Sequence, residues 1–142
     1  MIHVILTTHG PMAESMLASA SMVYGDLPHV FPVMLTEASG ITGFREAFDE
    51  VLRHASHQAD GVLVLCDLQS GTPWNIACHH AFNPETTPPM AVLGGVNFPM
   101  LLLSDEITSL NDVNQAAATL LEQAGASLVI ARQSENQQSD DF

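Results

Sequence analysis

The chain has 142 residues, which suits one domain with a substantial buried core, and its 46% hydrophobic share is that of an ordinary globular protein. Three arginines, no lysine and sixteen acids give a formal net charge of −13, which excludes nucleic acid and anionic membrane surfaces as partners. That charge serves either to steer a basic partner or simply to keep the protein soluble, and no apolar run approaches the length of a membrane span.

The first strand is read as Ile2 to Thr7, ending at Thr7-Thr8-His9-Gly10-Pro11. Met1 leads into it with no basic region or small-residue cleavage site, so a cytoplasmic location is expected. The first helix spans about Pro11 to Tyr24, with Met12, Met16, Ala20 and Val23 on one face and Ala13, Leu17 and Tyr24 beside it. Pro11 suits the first turn because its missing N–H has no helical partner there, and Gly25 supplies a stop. Val30 to Leu35 is the second strand. After the loop Thr36–Gly40, the stripe Phe44, Ala47, Phe48, Val51, Leu52 and Ala55 marks the second helix. On its outer face Arg45–Asp49 and Asp49–Arg53 are spaced as ion pairs.

Gly61 to Cys66 is apolar at nearly every position, the pattern of a strand covered on both faces. It ends at Asp67, and Leu68 to Pro73 form a loop that enters a third helix, about Pro73 to Phe82. A Pro-rich connector leads to the fourth strand, Met90 to Leu93, and Gly94 to Met100 turn into a short helical segment, Pro99 to Leu103. The last long helix spans about Asn111 to Ala124, with Gly125 as its stop. Ser127 to Ala131 is expected to be a final short strand. Residues 133–142 form a polar acidic tail expected to be disordered, leaving one domain over residues 1–132. Met12, Met16, Met22 and Met34 read as core filler, and Cys66 and Cys78 as reduced, packed thiols.

The alternation βαβαβαβαβ predicts a three-layer α/β/α sandwich on a mainly parallel sheet. With strand order 2-1-3-4, the first and third strands are neighbours and the chain reverses direction between them. His9 and Asp67 then both end at the switch-point crevice, where open α/β sheets bind ligands. A carboxylate holding Nδ1–H of His9 would leave Nε2 as a free lone pair, usable as base, metal ligand or nucleophile. Gly10-Pro11 and Ser70-Gly71-Thr72-Pro73 would aim two helix N-termini into the same crevice, and the Ser70 and Thr72 hydroxyls add donors. Nucleophile, orienting acid and anion cradle together read as transfer of a phosphoryl group onto His9.

In three places the chain resembles the mannose-type enzyme IIA of the bacterial sugar phosphotransferase system. These are Thr8-His9-Gly10, Asp67 with Ser70-Gly71-Thr72-Pro73-Trp74-Asn75, and Gly95-Val96-Asn97-Phe98-Pro99-Met100-Leu101, in the family's order and spacing. The resemblance covers about the whole chain to Ala131. It implies that phospho-HPr phosphorylates His9 on Nε2 and that the group passes to a histidine of an enzyme IIB, and through it serves membrane components IIC and IID. It further implies that Asp67 orients His9 and that Gly10 and the Gly71-Thr72 region hold the phosphoryl oxygens. No cofactor is expected. The family forms homodimers by exchanging a C-terminal strand, here Ser127–Ala131, and works at the membrane permease from the cytoplasm. Where members often carry two glycines and a serine, this chain has Ser70-Gly71-Thr72, which keeps a hydroxyl. The short tail leaves enzyme IIB as an expected separate chain.

Each residue also has a plainer reading. Asp67 or Thr72 could simply cap the third helix, and Asn97 could stabilise its turn or wall the partner groove. Trp74 could contact a partner, seal the crevice or only pack. His79-His80 diverge by about 100° on a helix and His54/His57 sit beside a charged outer face, which argues against a metal. Two other functions suit the same crevice: the phosphotransferase subunit of dihydroxyacetone kinase, and a non-enzymatic anion-binding regulatory module. Pro73-Trp74-Asn75 and Val96-Asn97-Phe98-Pro99 favour the mannose type.

Overall fold

The computed structural model describes residues 1–133, so all but the first residue of the predicted acidic tail lies outside the described residues. Strands β1 (Ile2–His9), β2 (Val30–Leu35), β3 (Gly61–Cys66) and β4 (Met90–Leu93) alternate with helices α1 (Met12–Val23), α2 (Gly40–Ser56), α3 (Thr72–Ala81), α4 (Phe98–Leu103) and α5 (Val113–Gly125). A 3-10 turn, Ser104–Ile107, follows α4. The four strands form one parallel sheet in the order β2-β1-β3-β4, as the sequence predicts.

Two apolar layers sandwich this sheet because side chains alternate along each strand. Ile2, Val4, Leu6, Leu63 and Leu65 pack with α1, α4 and α5 on one face. Ile5, Val62, Val64 and Cys66 pack with α2 and α3 on the other. Every residue of β3 is buried, which accounts for its unbroken apolar sequence.

β1 runs past the predicted end at Thr7 through His9. The neighbouring strand continues alongside it, pairing Thr8 with Met34 and His9 with Leu35. On α1 only Ala13 and Ala20 are buried. Met16 and Leu17 pack partly against the core, whereas Met12, Met22, Val23 and Tyr24 are exposed, so Met12 and Met22 are not core filler. Small residues let α1 lie close to the sheet, which leaves its longer side chains outside.

Asp49 forms neither of the expected pairs with arginine. It lies 3.0 Å from Nε2 of His80 on α3, whose ring stacks on Phe48. Ser127 to Ala131 is not a strand: it leaves α5 unpaired, with Leu128, Val129 and Ile130 at 76%, 80% and 80% exposure. Strand-forming side chains signal a preference, and a strand still needs a neighbour, which this chain's own sheet does not give it.

Candidate functional site

β1 and β3 are hydrogen-bonded neighbours with Thr7 opposite Cys66, so the residues that follow, His9 and Asp67, meet at the carboxyl edge of the sheet. Asp67 Oδ2 accepts the backbone N–H of His9 at 2.9 Å, and Nδ1 of the His9 ring lies 2.9 Å from the same oxygen. Oδ1 accepts the N–H of Leu68 at 2.9 Å. The Asp67 side chain is 7% exposed and that of His9 is 40% exposed. An ionised carboxylate only accepts, so Nδ1 carries the proton and Nε2 presents its lone pair. Three donors on its two oxygens offset the cost of burying Asp67.

Gly71 faces Nε2. Its φ is +87°, and a Cβ placed there would lie 3.2 Å from Nε2 and 3.3 Å from Cε1. Glycine therefore serves twice, adopting a backbone conformation that side chains resist and letting the loop close over the ring. Among the described residues, the backbone N–H groups of Ser70, Gly71 and Thr72 have no hydrogen-bond acceptor. They are free to meet an anion at the start of α3.

The start of α1 contributes less than the sequence suggests. Gly10 lines the crevice, but its N–H donates to the Leu35 carbonyl at 2.7 Å. Pro11 has no N–H, and that of Ala13 donates to Thr8 Oγ1 at 3.0 Å. A third helix start is present instead, because α2, the crossover from β2 to β3, also begins at this edge. Gly40 and Ile41 of α2 line the same cleft, which has a volume of about 940 Å³. Met34, Leu35 and Ile41 make it apolar, Glu14 and Glu37 give it carboxylates, and none of the arginines lines it. The sequence reading missed these residues, although each lies within a few positions of a strand end at the carboxyl edge.

Thr72 lines the cleft and is the first residue of α3, with Gly71 in the capping position, so Thr72 is not the cap. Nor is Asp67, whose oxygens serve His9 and Leu68. Ser70 is exposed beside Gly71. Trp74 and Asn97 do not line the His9 cleft. Trp74 borders a groove beside β4 with Cys78, Phe82 and Val92, and Asn97 Oδ1 caps α4 by accepting the Met100 N–H at 2.9 Å. Among the described residues no group of three or more His, Cys, Asp or Glu side chains is placed to hold a metal. Burial pushes the Cys66 thiol up to about 12, so it is chemically quiet.

The chain matches, over residues 3–124, the family model EIIA-man, described as PTS system fructose IIA component. It is 29% identical over 102 residues to a PTS system sorbose-specific EIIA component of Klebsiella pneumoniae, covering 72% of this chain and 71% of that protein. Among solved structures it is similar to a mannose/sorbose specific IIA subunit from Enterococcus faecalis. That match has a TM-score of 0.77 and 30% identity, and covers 92% of this chain and 94% of the other. A phosphotransferase system component EIIA from Streptococcus agalactiae shares the fold with a TM-score of 0.80 at 23% identity, covering 92% of this chain and 97% of that one. Among the described residues no helix is long and apolar enough to cross a membrane.

Proposed function

The chain belongs to the EIIA-man family of sugar phosphotransferase components, and on that premise we propose that it is a phosphocarrier acting through His9. It accepts a phosphoryl group from phospho-HPr and passes it to an enzyme IIB. Membrane components IIC and IID then couple the transfer to sugar uptake. The observation that carries this reading is the His9–Asp67 pair, with Nδ1–H held by a buried carboxylate and Nε2 open toward the Gly71 loop.

The chemistry follows from that geometry. The Nε2 lone pair attacks phosphorus as the bond from phosphorus to the donor's nitrogen breaks, and no proton need move on His9. Positive charge develops on the His9 ring during attack, and Asp67 stabilises it through Nδ1–H. The free N–H groups of Ser70, Gly71 and Thr72, with the Ser70 and Thr72 hydroxyls, receive the phosphoryl oxygens. The same arrangement runs in reverse toward enzyme IIB.

The protein works in the cytoplasm at the face of the permease, as a homodimer. The exposed Leu128-Val129-Ile130 run supports strand exchange, as does the groove of about 510 Å³ beside the β4 edge. Incubation with enzyme I, HPr and phosphoenolpyruvate tests the whole reading. It should leave acid-labile, base-stable phosphate on His9. Absence of label, or label that persists in His9→Ala, would overturn the proposal.

A further inference from the structure

Thr8 precedes His9 at the end of β1. It is fully buried, and as the preceding strand residue it faces the opposite side of the sheet from His9. Its Oγ1 accepts the N–H of Ala13 at 3.0 Å and donates toward the Gly10 carbonyl at 3.4 Å. Ala13 lies in the first turn of α1, and Pro11, in the capping position, makes no side-chain capping bond. Thr8 thus supplies from the strand the cap that the helix lacks. On the other side, the Gly10 N–H is held by Leu35, and the His9 N–H by Asp67. The turn His9-Gly10-Pro11 is therefore pinned to Leu35 of β2, to Asp67 after β3 and, through the Thr8 hydroxyl and the Pro11 carbonyl that accepts the Ser15 N–H at 3.1 Å, to α1.

Resting on the phosphocarrier reading above, we propose that Thr8 is a positioning residue for phosphoryl transfer. Its hydroxyl sets the junction of β1 and α1 and thereby the place of Nε2 against Gly71, without touching the phosphoryl group. An ordinary helix cap would stabilise α1 and nothing more. This one is borne by the residue bonded to His9, so losing it loosens the junction between β1 and α1 on the side that Leu35 and Asp67 do not hold. Transfer is sensitive to such loosening, because the reacting atoms must be held to a fraction of an ångström.

The test compares Thr8→Val, Thr8→Ser and Leu120→Ala, the last in the core on α5, far along the chain from the turn. Valine keeps the branched shape and removes the hydroxyl, leaving the Ala13 N–H without its acceptor. Below the unfolding transition, Thr8→Val should slow transfer at saturating phospho-HPr roughly ten- to a hundred-fold, with half-saturation changed less than about two-fold. Thr8→Ser should restore the rate to within about three-fold, and Leu120→Ala should leave it unchanged although the protein is destabilised. A Thr8→Val protein that transfers like wild type would overturn the proposal, as would a Thr8→Ser protein as slow as Thr8→Val. Nitrogen NMR of the His9 ring and amide reads the placement without phosphate. Those signals should shift in Thr8→Val, and unmoved signals overturn the role. Shifted signals with a wild-type protein that takes no phosphoryl group overturn the phosphocarrier reading and leave Thr8 as the residue that places His9.

Discussion

Asp67 holds His9 at two points through one oxygen: Oδ2 accepts both the backbone N–H and the ring Nδ1–H, each at 2.9 Å. The other oxygen is occupied by the Leu68 N–H. Asparagine cannot replace this carboxylate, because its amide group must face a donor in either orientation. It meets Leu68 in one and the two His9 donors in the other. Asp67→Asn is thus expected to lose on the order of 1–3 kcal/mol from the clash and to slow transfer by on the order of a hundred-fold or more. Rapid-quench measurement of phosphate on His9 decides it, and a rate within a few-fold of wild type would show that Asp67 does not orient the ring.

Gly71→Ala tests the approach of the loop to the ring. The new methyl group would lie 3.2 Å from Nε2, over the lone pair that must attack phosphorus, at a φ of +87°. The backbone strain should cost only about 1 kcal/mol, so the variant is expected to fold. Phosphorylation should nevertheless fall roughly a hundred-fold, even with a small donor such as phosphoramidate that needs no protein docking. Equal labelling of Gly71→Ala and wild type would place the phosphoryl group elsewhere.

How much of this was legible before the structure depends on the range of the interaction that sets each feature. β2, β3 and β4 begin and end where their apolar runs and flanking turn residues predict. The meeting of His9 with Asp67 followed from the strand order alone. Other features depend on partners distant in sequence. Asp49 turns to His80 on another helix, and the Gly10 N–H goes to Leu35 on another strand, so neither local spacing nor a glycine motif revealed them. Thr8 stood in the quoted motif without a role because its partner, Ala13, lies across the turn. The last strand is not formed within the single chain for a related reason: Leu128, Val129 and Ile130 have the composition of a strand and no neighbour in their own chain.

Acid should weaken this fold through His29. The ring is buried, and Ser104, whose hydroxyl donates to the Leu101 carbonyl at 2.6 Å, must accept from Nε2–H at 2.9 Å. Burial lowers the pKa of His29 from its ordinary 6.5, against the pull of Asp105, whose Oδ1 lies 3.9 Å from Nδ1. The folded state therefore binds fewer protons than the unfolded state between the folded value and 6.5. Stability is complete above that window, falls as pH drops through 6.5, and levels off below the folded value. His29→Gln keeps a donor for Ser104 and removes the titration. Urea midpoints from pH 8 down to pH 5 should thus decline less steeply in the variant than in wild type, and parallel curves would acquit His29.

The exposed run after α5 makes the dimer testable without touching the His9 site. Leu128 and Ile130 lie two residues apart, so in a strand they would share one face, and both are open to solvent in the single chain. The groove bordered by Trp74, Phe82 and Val92 beside β4 offers apolar cover for that face on a second copy. Burying one such side chain contributes about 1.5–3 kcal/mol, so removing two should weaken association by two orders of magnitude or more. The double variant Leu128→Ser, Ile130→Ser is expected to be a monomer by light scattering at concentrations where wild type is a dimer. It should still take phosphate from phosphoramidate, because His9, Asp67 and Gly71 all lie at the other strands' ends within one chain. A wild-type monomer, or a double variant that remains dimeric, would remove this segment from the interface.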